Sequence, residues 1–101
     1  MSQQRLDGLT ALVTGASSGI GNAIAATFGR EGANVVVADV RREPKLDDEV
    51  SVFEKLDDVD CESTFVETDV TQEADVETAI ETAVEEYGGL DILVNNAGIY
   101  Y

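Results

Sequence analysis

The feature that most constrains the fold of this chain is a glycine-rich octet, TGASSGIG, at residues 14–21. An apolar run at residues 9–14 leads into the octet, and a second run, ANVVVAD, follows at residues 33–39. Because glycine adopts the positive φ angles of sharp turns, the octet suits the corner between a strand and a helix. The helix is predicted from residues at helical spacing between the two runs: Ile20, Ala23, Ile24, Thr27 and Phe28. The sequence of this region therefore predicts a strand, a helix and a second strand.

The same alternation continues along the chain. Residues 49–58 predict a second helix, residues 63–68 a third strand and residues 90–94 a fourth. Thr71 is predicted to cap a third helix, which ends at the paired glycines of residues 88–89. Four strands that alternate with three helices indicate an α/β fold, a Rossmann-type doubly wound parallel sheet.

Length and charge bound the remaining possibilities. The 101 residues suit one domain, residues 1–101, and 21 acidic against 6 basic residues give a net charge of −15. This balance argues against nucleic acid and anionic membrane surfaces as partners. It fits a halophilic protein whose self-repulsion is screened by salt, or simply an acidic surface. The polar N-terminus predicts a cytoplasmic location, and the single cysteine, Cys61, suggests neither a disulfide nor a metal site.

The octet also predicts a binding site for an anion. A turn that runs into a helix brings backbone N–H groups and the positive end of the helix dipole together. Gly15 suits the sharp turn, Gly19 a close approach of a ligand, and Gly21 close packing of the helix. Ser17 and Ser18 add hydroxyl donors. The spacing G-x-x-x-G-x-G differs from the commoner G-x-G-x-x-G, so a tight turn without a ligand remains the alternative.

Asp39, at the end of the second predicted strand, favours a dinucleotide as that anion. Its carboxylate can accept hydrogen bonds from the adenosine ribose hydroxyls and would repel a 2′-phosphate, which favours NAD over NADP. Arg41 and Arg42 weaken this preference, because a guanidinium can bind a 2′-phosphate. The alternative is that both are solvated charges of the exposed loop at residues 41–48. The alternative role for Asp39 is that of a turn former.

Two further motifs follow the third and fourth predicted strands. Asp69 and Val70 close the third strand, and NNAG at residues 95–98 closes the fourth. Ligands of open α/β sheets bind at this carboxyl edge. The alternative for Asp69 is an acidic residue that precedes the Thr71 cap, and the alternative for NNAG is a turn formed by asparagine and glycine.

Taken together, TGASSGIG, the ADV at residues 38–40, Asp69-Val70 and NNAG strongly resemble the short-chain dehydrogenase/reductase family. The resemblance implies hydride transfer between a nicotinamide cofactor and an alcohol or carbonyl compound. Ser18 lies where NADP-preferring members often carry a basic residue, which agrees with the preference for NAD. Full-length members usually form homo-oligomers. The implied cofactor-binding residues are Gly15, Ser17, Ser18, Gly19, Ile20, Gly21, Asp39, Asp69, Val70, Asn95, Ala97 and Gly98.

The catalytic residues of the family have no counterpart in the sequence. Members use a serine and a Y-x-x-x-K pair, whereas Tyr87, Tyr100 and Tyr101 have no lysine four residues later and both lysines, Lys45 and Lys55, lie upstream. No catalytic residue is therefore assigned, and the chain is expected to be the cofactor-binding half of such an oxidoreductase. The alternatives are a non-catalytic nucleotide-binding module and an inactive remnant with an unpaired strand edge.

Overall fold

The computed structural model describes residues 5–45 and 48–96, which form one four-stranded parallel sheet with helices on both faces. The elements are β1 (Thr10–Thr14), α1 (Gly19–Arg30), β2 (Asn34–Asp39), α2 (Val52–Asp58), β3 (Ser63–Glu67), α3 (Glu73–Tyr87) and β4 (Ile92–Val94). The strand order β3-β2-β1-β4 confirms the predicted Rossmann-type α/β sheet. The order reverses between β1 and β4, and ligands of such sheets bind beyond the carboxyl ends of the strands at this reversal.

Both faces of the two central strands are buried, which explains why their sequences are continuously apolar. On one face, Val13, Val35 and Val37 pack with residues of α1 and α2. On the other face, Leu12 and Val36 pack against α3. Burying each of these side chains contributes about 1.5–3 kcal/mol.

The apolar residues at helical spacing in α1 are only partly buried. Ile24 and Phe28 pack against the core, whereas Ile20 is 73% exposed and Ala23 and Thr27 are exposed as well. The fully buried positions are instead mostly small: Gly21, Asn22, Ala25, Ala26 and Gly29. A Cβ built at Gly29 would overlap the Leu56 side chain. Small residues therefore bring α1 close to its neighbours, and this need overrides the apolar periodicity.

The starts of the later elements differ from prediction. Helix α2 begins at Val52, because Ser51 caps it by accepting a 3.2 Å hydrogen bond from the Phe53 N–H. The N-cap position of α3 is Gln72, so the predicted Thr71 cap is wrong. The Thr71 hydroxyl donates instead to Asp69 Oδ1 at 2.6 Å. The predicted end of α3 is confirmed, because Gly88 takes the left-handed conformation at φ 85°.

In the described part of the chain, no helix is both long and apolar enough to cross a membrane.

Strand β4 is shorter than the predicted segment. It begins at Ile92, after Asp91 has accepted the Thr10 N–H at 2.9 Å.

Candidate functional site

The glycine turn, defined as residues 15–18, connects β1 to α1 at the reversal of the strand order. Gly15 has φ 64°, and its N–H donates to the Ala38 carbonyl at 2.8 Å. A Cβ built at Gly21 would overlap the Gly15 carbonyl and lie 2.7 Å from Asn96 Nδ2. The sharp turn predicted at Gly15 and the close packing predicted at Gly21 are both present, although Gly21 packs against the glycine turn itself.

Asp39 connects the end of β2 to the glycine turn. The residue is 9% exposed; Oδ2 accepts the Ser17 N–H at 3.0 Å and Oδ1 accepts the Val40 N–H at 2.7 Å. Hydrogen bonds to a charged group contribute about 1.5–3 kcal/mol each. Because a carboxylate has about four acceptor positions, it can still accept from a ligand hydroxyl.

The described residues of the loop between β2 and α2 contact the glycine turn and the start of α1. Ser17 is buried and its hydroxyl donates to the Arg41 carbonyl at 2.6 Å. Ser18 Oγ accepts the Lys45 N–H at 2.7 Å. The Gly19 N–H, at the start of α1, donates to Glu49 Oε2 at 2.8 Å. Each of these predicted phosphate-binding residues therefore contacts the loop.

The asparagines after β4 reach the same place. The Thr14 hydroxyl lies 3.3 Å from the Val94 carbonyl and 3.4 Å from Asn95 Oδ1. Asn96 Nδ2 donates to the Gly15 carbonyl at 3.4 Å. Both asparagines therefore bridge β4 to the β1 corner, and Asn96 was missed by the sequence interpretation although it stands within the NNAG motif. The predicted residues Ala97 and Gly98 lie outside the described residues.

Asp69 lies at the carboxyl end of β3, and its contacts are local. Its Oδ1 accepts the Thr71 hydroxyl at 2.6 Å and the Thr71 N–H at 2.9 Å, and these bonds lower the pKa of the carboxyl below its ordinary value. The Asp69 N–H donates to Asp75 Oδ2 at 3.0 Å. Val70 beside it is partly buried. The structure thus places both residues at the ligand edge, on the strand farthest from β4.

Asn22 is a buried structural residue of the site that sequence analysis missed. Its Nδ2 donates to the Ser17 carbonyl at 3.2 Å and to the Val50 carbonyl at 3.1 Å, and its Oδ1 accepts from Lys55 Nζ at 2.6 Å. The signal in the sequence is a polar residue directly after the glycine octet. Asn22 therefore fixes the glycine turn and the end of the loop with one side chain.

The two arginines of the loop make contacts within their own neighbourhood. Arg41 donates to the Glu43 carbonyl at 3.1 Å and to the Pro44 carbonyl at 3.3 Å. The Arg42 guanidinium lies 4.0 Å from the centroid of the Phe53 ring. Both side chains line a cleft that Glu49 also lines.

Tyr87 lies near the opposite end of the sheet. Its hydroxyl is 2.8 Å from the hydroxyl of Thr64, near the start of β3, and burial raises its pKa. Tyr100 and Tyr101 lie outside the described residues. Among the described residues, no group of three or more His, Cys, Asp or Glu side chains is arranged to hold a metal ion.

Comparison with known proteins identifies the class to which this fold and site belong. A family model described as short chain dehydrogenase matches residues 9–101. The chain therefore belongs to the short-chain dehydrogenase/reductase family, whose members are oxidoreductases that bind NAD or NADP. The resemblance inferred from the sequence motifs is confirmed.

Particular relatives match almost the whole chain. It is 52% identical over 96 residues to the mitochondrial borneol dehydrogenase of Lavandula x intermedia, covering 95% of this chain and 34% of that protein. It is 46% identical over 99 residues to the oxidoreductase UcpA of Escherichia coli, covering 94% of this chain and 34% of that protein. The chain thus spans about a third of the length of these relatives.

Solved structures show the same agreement. A short-chain type dehydrogenase/reductase from Mycobacterium marinum superposes with a TM-score of 0.83 at 36% identity, covering 100% of this chain and 40% of that one. A hydroxysteroid dehydrogenase from Escherichia coli gives a TM-score of 0.78 at 36% identity, covering 91% and 37%.

Proposed function

We propose that this chain binds the dinucleotide cofactor of a short-chain oxidoreductase, with NAD(H) preferred over NADP(H). The observation that carries the proposal is the Asp39 carboxylate, held against the Ser17 N–H beside the first turn of α1. In the proposed complex this carboxylate would accept hydrogen bonds from the ribose hydroxyls, next to a helix N-terminus that favours phosphate.

The donor set at the glycine turn fits an anionic ligand. The Gly19 N–H already binds a carboxylate oxygen, and no atom lies within 4 Å of a Cβ built at Gly19, so the backbone is open to close approach. In the proposed complex, Gly15, Ser17, Ser18, Gly19, Ile20 and Gly21 surround the pyrophosphate and the adjoining ribose. Asp39 holds the adenosine ribose, Asp69 and Val70 meet the adenine, and Asn95, Ala97 and Gly98 line the remainder.

The preference for NAD(H) rests on charge. Asp39 would repel a 2′-phosphate, and Ser18 offers no compensating positive charge. Arg41 and Arg42 support the competing choice of NADP(H), since both line the adjacent cleft. Their present contacts are to loop carbonyls and to the Phe53 ring, and these contacts leave N–H donors of both guanidinium groups available to a phosphate.

The bound nicotinamide would supply the hydride chemistry, to or from an alcohol or carbonyl carbon. The residues of this chain would bind and orient the cofactor. Proton exchange with the substrate oxygen needs an acid or base, and this sequence contains no Y-x-x-x-K pair. We therefore assign to this chain the binding step and not the proton transfer, and we propose that the whole oxidoreductase is cytoplasmic and homo-oligomeric.

Fluorescence titration of the purified chain with NADH, in low salt and in molar KCl, tests binding. We expect saturable binding with a Kd below about 1 mM. Binding and helix content should both improve in KCl, because salt screens the net charge of −15. A folded chain without saturable binding in either salt would refute the proposal and leave an inactive remnant. Turnover with NAD and simple alcohols would contradict the assignment of binding, without proton transfer, to this chain. Saturable binding without turnover fits both a cofactor-binding half and a non-catalytic module.

A further inference from the structure

The loop between β2 and α2 occupies the groups that the proposed cofactor needs. The carbonyl of Arg41 accepts the Ser17 hydroxyl, and the Lys45 N–H donates to Ser18 Oγ. At the end of the loop, Asn22 donates to the Val50 carbonyl at 3.1 Å. Contacts at both ends thus hold the loop against the glycine turn.

The Glu49 carboxylate is the part of this loop that lies at the helix N-terminus. Its Oε2 accepts the N–H of Gly19, the first residue of α1, at 2.8 Å. The first turn of α1 contains no acidic residue of its own, so Glu49 supplies the negative charge that the helix dipole favours there. A carboxylate from the loop therefore stands where a phosphate of the cofactor would be bound.

The other oxygen of the same carboxylate is poorly accommodated. Glu49 Oε1 is buried and has no hydrogen-bond partner among the described residues. A buried, unsatisfied oxygen weakens the contact relative to one in which both oxygens are bonded. One oxygen of the Glu49 carboxylate is therefore bonded at the helix N-terminus and the other is not, so a ligand can displace the carboxylate more easily.

We propose that Glu49 is a built-in competitor of the cofactor's phosphate, and that dinucleotide binding requires its displacement from the Gly19 N–H. The inference rests on the proposed dinucleotide site and concerns its regulation. Two anions cannot share one N–H donor at close range, because their charges repel. The loop and the cofactor therefore exclude each other at this position, and the strength of the Glu49 contact sets how tightly the cofactor binds.

The competition is specific to ligands that carry phosphate. ADP and NADH place negative charge at the start of α1, whereas adenosine has none. Removing the charge of Glu49 should therefore strengthen the binding of ADP and NADH and leave adenosine unchanged. A general loosening of the loop would instead alter all three ligands together.

The test compares the 101-residue chain with Glu49→Gln, and uses Glu54→Gln as the matched control. Glu54 lines the same cleft, so its substitution changes the overall charge equally. Calorimetric titrations with NADH, ADP and adenosine, in KCl that keeps all three chains folded, should show a Kd for NADH and ADP about tenfold lower in Glu49→Gln. Glu54→Gln should match the unchanged chain within about twofold.

The results separate the two proposals. An unchanged Kd for NADH and ADP in Glu49→Gln, with saturable binding by the unchanged chain, would overturn the competition and leave the dinucleotide site intact. An equal gain for adenosine would also overturn it. Failure of every variant to bind any of the ligands would refute both proposals, whereas binding by Glu49→Gln alone would support both. In the ligand-free chain, the Gly19 amide resonance should move upfield in Glu49→Gln, and an unmoved resonance would contradict the contact.

Discussion

Asp39 and Asp69 both lie where a parallel strand ends, and their contacts distinguish two corners of the sheet. The Asp39 carboxylate is almost buried and binds Ser17, 22 residues earlier, across the glycine turn. Asp69 is more exposed and its carboxylate binds Thr71, two residues later. One aspartate connects two elements, whereas the other shapes a local turn. Position at a strand end therefore makes an aspartate a candidate, and its hydrogen-bond partners decide its structural role.

The substitution with the largest expected effect disturbs the Asp39 corner, which consists of Asp39 and the glycine turn that it binds. In Gly21→Ala, the new methyl group meets the Gly15 carbonyl and the Asn96 amide, so the glycine turn must shift. We expect the free energy of unfolding to fall by about 1–3 kcal/mol, as measured by urea denaturation. NADH binding should weaken as well, because the shifted turn misplaces the start of α1.

Gly89→Ala is the control for this substitution. No atom lies within 4 Å of a Cβ built at Gly89, so the free energy of unfolding should change by no more than about 0.5 kcal/mol. Equal losses in the two variants would show that glycine replacement as such, rather than packing at the Asp39 corner, causes the effect.

A smaller effect sharpens the comparison at the Asp69 corner. The Thr71 hydroxyl and N–H lower the pKa of Asp69 below the ordinary value of 3.8. Because the pKa is lower in the folded state, the contribution of Asp69 to stability is complete above the unfolded pKa and is lost as the pH falls through the folded pKa. The unfolding free energies of the unchanged chain and of Asp69→Asn should therefore differ at neutral pH and converge in acid.

Thr71→Val supplies the matched variant for this measurement. It removes the hydroxyl donor and keeps the shape of the side chain, so the pKa of Asp69, followed by NMR, should rise toward its ordinary value. A stability difference that grows as the pH falls, or an Asp69 pKa unmoved in Thr71→Val, would contradict this description of the local turn.

The sequence predicted the sheet and the glycine corner well because local signals coincide there. The buried runs of β1 and β2, with the octet between them, leave few alternatives for the backbone. The end of α3 was equally clear, since Gly88 takes a conformation that favours glycine. The spacing in α1 indicated only part of its buried face, because Ile24 and Phe28 pack against the core. Ile20 is 73% exposed and Asn22 is buried, since the close approach of α1 to its neighbours requires small residues and one satisfied amide.

The contacts of the site that join distant parts of the chain could not be predicted. Glu49 lies 30 residues from Gly19 and was predicted to begin the second helix, and no signal in the sequence indicates its contact with Gly19. Thr71 was predicted to cap α3, but its hydroxyl is taken by Asp69 two residues earlier. Spacing indicates which residues reach the ligand edge of the sheet. It does not indicate which of their groups are already bonded within the protein.

The ratio of the Kd values for NADPH and NADH tests the central claim most directly. It should be measured for the unchanged chain, for Asp39→Asn and Asp69→Asn, and for Asp57→Asn, an exposed control on α2. We expect a ratio well above one that falls about tenfold in Asp39→Asn and changes little in the other two variants. Because both ligands are titrated into the same preparation, partial unfolding leaves the ratio unaffected. An unchanged ratio in Asp39→Asn, or an equal fall in Asp69→Asn, would contradict the assignment of Asp39 to the adenosine ribose.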